Sequence, residues 1–109
     1  MSANLVIGDD FVKPIALTKD GVSFIISASA VVQVAIIKRD RSALISTVTT
    51  SDRLATGADW SISTIVVDIP ESETINYTTI GKAYVEIQVA DPKKQTFFAD
   101  IDLVKGLIP

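Results

Sequence analysis

Residues 82–104, KAYVEIQVADPKKQTFFADIDLV, alternate apolar and polar side chains on both sides of a polar, proline-bearing break. Successive side chains of a strand point to opposite faces, so this period-2 pattern specifies two antiparallel strands with one buried face. Val85, Ile87 and Val89 must share that face with Phe97, Ala99, Ile101 and Leu103, because a slip of one residue would turn a whole row outward. Two registers meet this condition. One sets Glu86 opposite Asp100, a like-charge pair that destabilises. The other sets Glu86 opposite Phe98 and Tyr84 opposite Asp100, with Asp91-Pro92-Lys93 as the loop, and is the one expected. In both, Tyr84 and Phe98 fall on the outer face, beside Glu86, Gln88, Asp100 and Asp102.

The rest of the chain speaks the same grammar. Helical periodicity is nearly absent, and turn signals recur about every 8–15 residues, the spacing of an all-β sandwich. Strands are expected at 4–7 and 11–18, with Pro14 placing the second at a sheet edge or bulge because it cannot donate to a ladder. Asp20-Gly21 supplies the next turn. Residues 24–26 and 30–38 read as strands separated by a kink at 27–29, followed by strands at 44–49 and 61–69 around a surface loop at 51–59. Pro70, with Glu71 and Glu73 behind it, reads as the start of one short helical turn. The expectation is one domain, residues 1–109, with seven or eight strands.

Composition removes most chemistry. The chain has no cysteine and no histidine, so it offers no disulfide, no thiolate, and no Ser-His or Cys-His nucleophile pair. Net charge is −3 and the densest basic run, Lys38-Arg39-Asp40-Arg41, is interrupted by an acid, which argues against nucleic acid as a partner. The longest apolar run, residues 24–37, falls short of the ~20 residues needed to cross a bilayer, and no signal segment opens the chain, so no membrane role and an intracellular protein are expected. Asp9-Asp10 in a turn could help bind a hard cation, and Asp100 and Asp102 share a strand face, but neither has metal-site spacing; solvated charge near a strand edge is the expected role. Glu71 and Glu73 fit a helix dipole better than a glycosidase pair. The glycines form no phosphate loop, and Asn76-Tyr77-Thr78 matches a glycosylation triplet that nothing else supports. No catalytic, cofactor or metal residue is expected, and the chain is not expected to be an enzyme.

What composition adds is grease. Apolar residues make up 48% of the chain and mean hydropathy is +0.39, more than a small domain readily encloses, so part of it is expected at a subunit interface. In the strand 30–38, Ala30, Val32, Val34 and Ile36 line one face while Val31, Gln33, Ala35 and Ile37 line the other, leaving both apolar except at Gln33. Val31, Ala35, Ile37, Tyr84 and Phe98 are therefore the candidate interface residues. Trp60 reads as core, with a contact residue as the other reading, and Tyr77 as a ring over the sandwich end with its hydroxyl on a backbone group.

The order of parts IGDDFVKPIAL, KDG, ADW, STIVVDIPESETINY and GKAYVEIQVADPKKQTFFADIDLVKG resembles the small immunoglobulin-like β-sandwich domains of tailed-bacteriophage tail and baseplate proteins, of the kind found at the N-terminus of baseplate upper proteins. The matching positions are Gly8-Asp9, Asp20-Gly21, the stretch 67–70 with Thr74, and 81–91. The resemblance implies an immunoglobulin-like antiparallel sandwich with no catalytic residues, assembling about a symmetry axis. The expected function is thus a phage or prophage virion structural protein, a free-standing tail, baseplate or adaptor component. It would form a trimer or higher homo-oligomer and dock onto other virion proteins in particles assembled in the host cytoplasm. The alternative is a non-catalytic carbohydrate- or ligand-binding module using Trp60, Tyr84 and the acidic loops.

Overall fold

The closing hairpin adopts the register that avoids the like-charge pair: Glu86 lies opposite Phe98 and Tyr84 opposite Asp100. The computed structural model describes residues 3–19, 21–23, 25–90 and 93–106. In chain order its strands are β1 (Ala3–Ile7), β2 (Phe11–Ala16), β3 (Thr18–Lys19), β4 (Val22–Ser23), β5 (Val31–Lys38), β6 (Thr49–Thr50), β7 (Thr64–Ile69), β8 (Gly81–Ala90) and β9 (Lys94–Lys105). A 3-10 turn (Trp60–Ile62) precedes β7 and a one-turn helix, α1 (Glu71–Thr74), follows it. Asp20, Phe24, Asp91 and Pro92, which the sequence assigns to the first turn, the strand at 24–26 and the hairpin loop, lie outside the described residues.

One sheet runs β1-β9-β8-β5-β6 and the other pairs β2 with β7, while β3 and β4 form a small separate hairpin. The order β9-β8-β5 against β2-β7 is the G-F-C against B-E arrangement of immunoglobulin-type sandwiches. β1 departs from the expected antiparallel pairing: it runs parallel to β9, from Ala3 opposite Ile101 to Ile7 opposite Lys105. Pro14 sits in β2, which pairs with β7 alone and without a break in register, the edge position that a missing N–H requires.

The inward rows of the two sheets meet in one core. Val32, Val34 and Ile36 of β5, Val85, Ile87 and Val89 of β8, and Ile101 and Leu103 of β9 pack against Ile65, Val67 and Ile69 of β7 and Phe11 of β2. Ser51 ties the layers together. Its N–H donates to the Val32 carbonyl at 2.8 Å and its hydroxyl to the Val66 carbonyl at 2.7 Å.

Three expected strands are shorter than their β propensity suggests, two of them because a small polar side chain offers the backbone another partner. The stretch 44–49 yields only a bridge from Leu44 to Ile37 and, at Thr49, the first residue of β6. There the Ser46 hydroxyl accepts the Ile36 N–H at 2.7 Å and donates to the Thr47 carbonyl, replacing the ladder. The strand expected from Ser61 starts at Thr64, because the Asp59 carboxylate accepts both the N–H and the hydroxyl of Ser61 and winds residues 60–62 into a turn that ends at Ser63 with φ 62°. Residues 25–26 are not in a strand; the Ile26 N–H instead bonds the Trp60 carbonyl at 3.1 Å. The described residues thus hold nine strand segments, three of them only two residues long.

The helical turn forms where Pro70 and the two glutamates place it, but its cap comes from across the fold. Asp10 Oδ1 accepts the Glu71 N–H at 2.8 Å, so the Asp9-Asp10 turn serves as a helix cap. Thr74, fully buried, locks the same junction: its hydroxyl donates to the Asp9 carbonyl at 2.8 Å and accepts the Gly8 N–H at 3.1 Å. Tyr77 is buried over this end, yet its hydroxyl donates to the Glu73 carboxylate at 2.5 Å, where a backbone partner was expected. Burial and the adjacent Glu73 carboxylate hold the phenol well above the ordinary tyrosine range. An acid raised by folding keeps its proton in the native state after the unfolded chain has lost it. Its contribution is therefore intact below about pH 10 and is lost as the pH rises beyond that. Between about pH 9 and pH 11 the denaturant midpoint is expected to fall more for this chain than for Tyr77→Phe; parallel slopes would contradict the assignment.

Candidate interaction surface

The outer face of the five-stranded sheet is built by the alternate residues of β5, β8 and β9. A tight turn closes one end of this face. After β5, the Arg41 N–H bonds the Lys38 carbonyl at 2.8 Å and the Lys38 N–H bonds the Ala43 carbonyl at 3.0 Å. The Asp40 carboxylate accepts the Ser42 N–H at 3.0 Å, and the Ser42 side chain and backbone hold the Asp40 carboxyl below its ordinary range. Arg41 takes a left-handed conformation, φ 61°, uncommon for a residue with a side chain.

That conformation accompanies an Arg41 side chain laid over the sheet. Its guanidinium carbon lies 4.2 Å from the Phe98 ring centroid and 5.4 Å from that of Tyr84. The two rings meet edge to face, centroids 5.9 Å apart at 68°. Positive charge over a ring face and edge-on ring contact are both attractive, so the three side chains form one ordered unit. Around it, Gln88 Nε2 donates to Glu86 at 3.1 Å and Lys82 pairs with Asp102 at 3.7 Å. A cleft of about 200 Å³ opens beside Tyr84, lined by Arg39, Lys82 and Asp100 among others.

The five candidate interface residues divide here. Phe98 is 40% exposed and Val31 52%, while Tyr84 is half-buried. Ala35 and Ile37 do lie on the outer face, but at 5% and 4% exposure they are covered by their own chain, with Tyr84 directly opposite Ile37 in β8 and Leu44 bridged to Ile37 on the other side. They support the aromatic unit and are not themselves presented to a partner. Leu44, 56% exposed, takes that place at the surface. Arg41 is the residue the sequence did not single out, since only the left-handed turn brings it back over the rings.

Trp60 is buried in the core, which removes it as a platform for sugar stacking. Among the described residues, no group of three or more acidic, histidine or cysteine side chains could hold a metal ion, and no helix is long and apolar enough to cross a membrane. No protein-family model matches this chain, and no curated protein matches it significantly.

Proposed function

We propose that this chain is a non-catalytic structural protein of a phage or prophage virion, of tail, baseplate or adaptor type, that assembles with itself and docks onto other virion proteins. The observation that carries the reading is the ordered Arg41–Tyr84–Phe98 unit on an outer sheet face, with exposed Leu44 beside it and exposed Val31 at the far end of β5. Aromatic and arginine side chains held rigid at the surface are the types that dominate binding energy at protein interfaces, because little rotamer freedom remains to be lost. The immunoglobulin-type strand order is the scaffold that the sequence resemblance implies for this role.

Light scattering coupled to size exclusion tests it. The full chain is expected to exceed monomer mass at micromolar concentration. Phe98→Asp is expected to leave the circular dichroism spectrum intact while weakening assembly at least about tenfold, the effect of removing a central aromatic. An unfolded variant would mean the Phe98 ring is a core element, and unchanged assembly would mean the face is not the interface.

A further inference from the structure

On the side away from β8, strand β1 covers β9, among the described residues, from Ile101 to Lys105. The preceding seven residues, Lys94-Gln95-Thr96-Phe97-Phe98-Ala99-Asp100, pair with β8 on one side. Burial along the inward row changes at the same point. Leu103 and Ile101, flanked by β1, are buried, whereas Ala99, Phe97 and Gln95 are only half-buried. Beside this edge lies a groove of about 360 Å³ between Ala99 and Ile101 of β9 and Pro14 and Ile15 of β2, with Ala3 at its end.

We infer that two copies of the chain pair antiparallel, edge to edge, through residues 94–100 of β9 about a two-fold axis at Phe97, joining their five-stranded sheets into one. This rests on the self-assembly proposed above and names the contact. The charge pattern selects a second copy as the occupant. Lys94 and Asp100 stand at equal distances on either side of Phe97 and, by strand alternation, on the same outer face. Antiparallel pairing at Phe97 therefore sets Lys94 of each copy opposite Asp100 of the partner subunit, two opposite-charge cross-strand pairs in one contact. Thr96 meets Phe98 of the partner subunit between them. On the inner face Gln95 meets Ala99 of the partner subunit, and the Phe97 ring keeps its packing against the core. A slide toward greater overlap would drive the β1 of each copy into the hairpin of the other, and a slide the opposite way shortens the contact and separates Lys94 from its acidic partner. Charges that serve only to keep an edge strand solitary work best when alike; opposite signs placed symmetrically invite self-pairing.

Reciprocal charge changes on the full chain test the contact. Lys94→Glu and Asp100→Lys, each alone, are expected to weaken dimerisation about tenfold or more, since each turns both attractive pairs into repulsive ones. Mixing the two variants is expected to restore a heterodimer of near-native affinity, as is combining both changes in one chain. Because the rescued species contain the same substitutions, misfolding cannot account for the pattern. An assembly indifferent to both changes, or one with an odd number of subunits in a closed ring, would overturn the edge pairing while leaving self-assembly in place. A chain that stays monomeric up to millimolar concentration would overturn both.

Discussion

Replacing Thr74 by valine is expected to lower unfolding free energy by about 2–4 kcal/mol, measured by urea denaturation followed by circular dichroism. Valine matches threonine in shape, so no cavity forms and the loss isolates the hydroxyl. That hydroxyl joins the Gly8 N–H to the Asp9 carbonyl within a fully buried side chain. Without it a donor and an acceptor face an apolar methyl, and each orphaned group costs about 1–3 kcal/mol. Thr74→Ser, which keeps the hydroxyl, is expected to cost clearly less. The loss should be structural in a specific way. Thr74 and the Asp10 cap together fasten the turn between the first two strands to the helix that enters β8, so the native state without them is expected to fray at the β1 edge first. Amide exchange accelerated in residues 4–7 relative to β8 would show this; uniform acceleration would contradict it.

Trp60→Ala is expected to be at least as severe, about 3–5 kcal/mol, because it opens a cavity at a buried position inside the core cluster. Trp60→Phe is expected to cost less than half as much. Part of the reason is the indole N–H, which lacks a hydrogen-bond partner among the described residues, so removing it also removes a desolvation penalty. Circular dichroism is the suitable probe, as Trp60 is the single tryptophan. Were the ring instead a ligand platform, the alanine variant would retain its stability and lose only binding.

The aromatic unit and the edge contact bear on the same question from different sides. Phe98 lies on the outer face and also within the stretch 94–100, so a change there affects both a face-mounted partner and the pairing of two sheets. Lys94, paired with Ala90 at the hairpin end, lies outside the aromatic unit. Comparing Phe98→Asp with Lys94→Glu therefore separates docking through the face from dimerisation through the edge.

Much of this was legible before any fold was known. Alternation in 82–104 fixes which side chains face inward, and the repulsion between Glu86 and Asp100 selects the register seen. Pro14 marks an edge because it lacks an N–H, and Pro70 with its two glutamates marks the helical turn. Two of the misreadings share one cause. Ser46 and Ser61 sit in stretches of high β propensity, but Ser46 bonds nearby backbone and Ser61 bonds the Asp59 carboxylate from the preceding loop, which ends or delays the strands. Propensity counts residue types, whereas the outcome depends on which polar group has a partner within reach.

The candidate surface divides in the same way. Local pattern alone determined that Val31, Ala35, Ile37, Tyr84 and Phe98 share the outer face, because strand side chains alternate with a period of two regardless of what surrounds them. Only the tertiary structure decided which of them meet solvent. Leu44 returning beside Ile37, Arg41 folding over the rings, Asp10 capping a helix some 61 residues away and β1 covering Ile101 to Lys105 of β9 are all contacts between segments distant in sequence or turned by a single left-handed residue. Periodicity carries orientation within a strand; coverage is set by neighbours that the strand's own sequence does not contain.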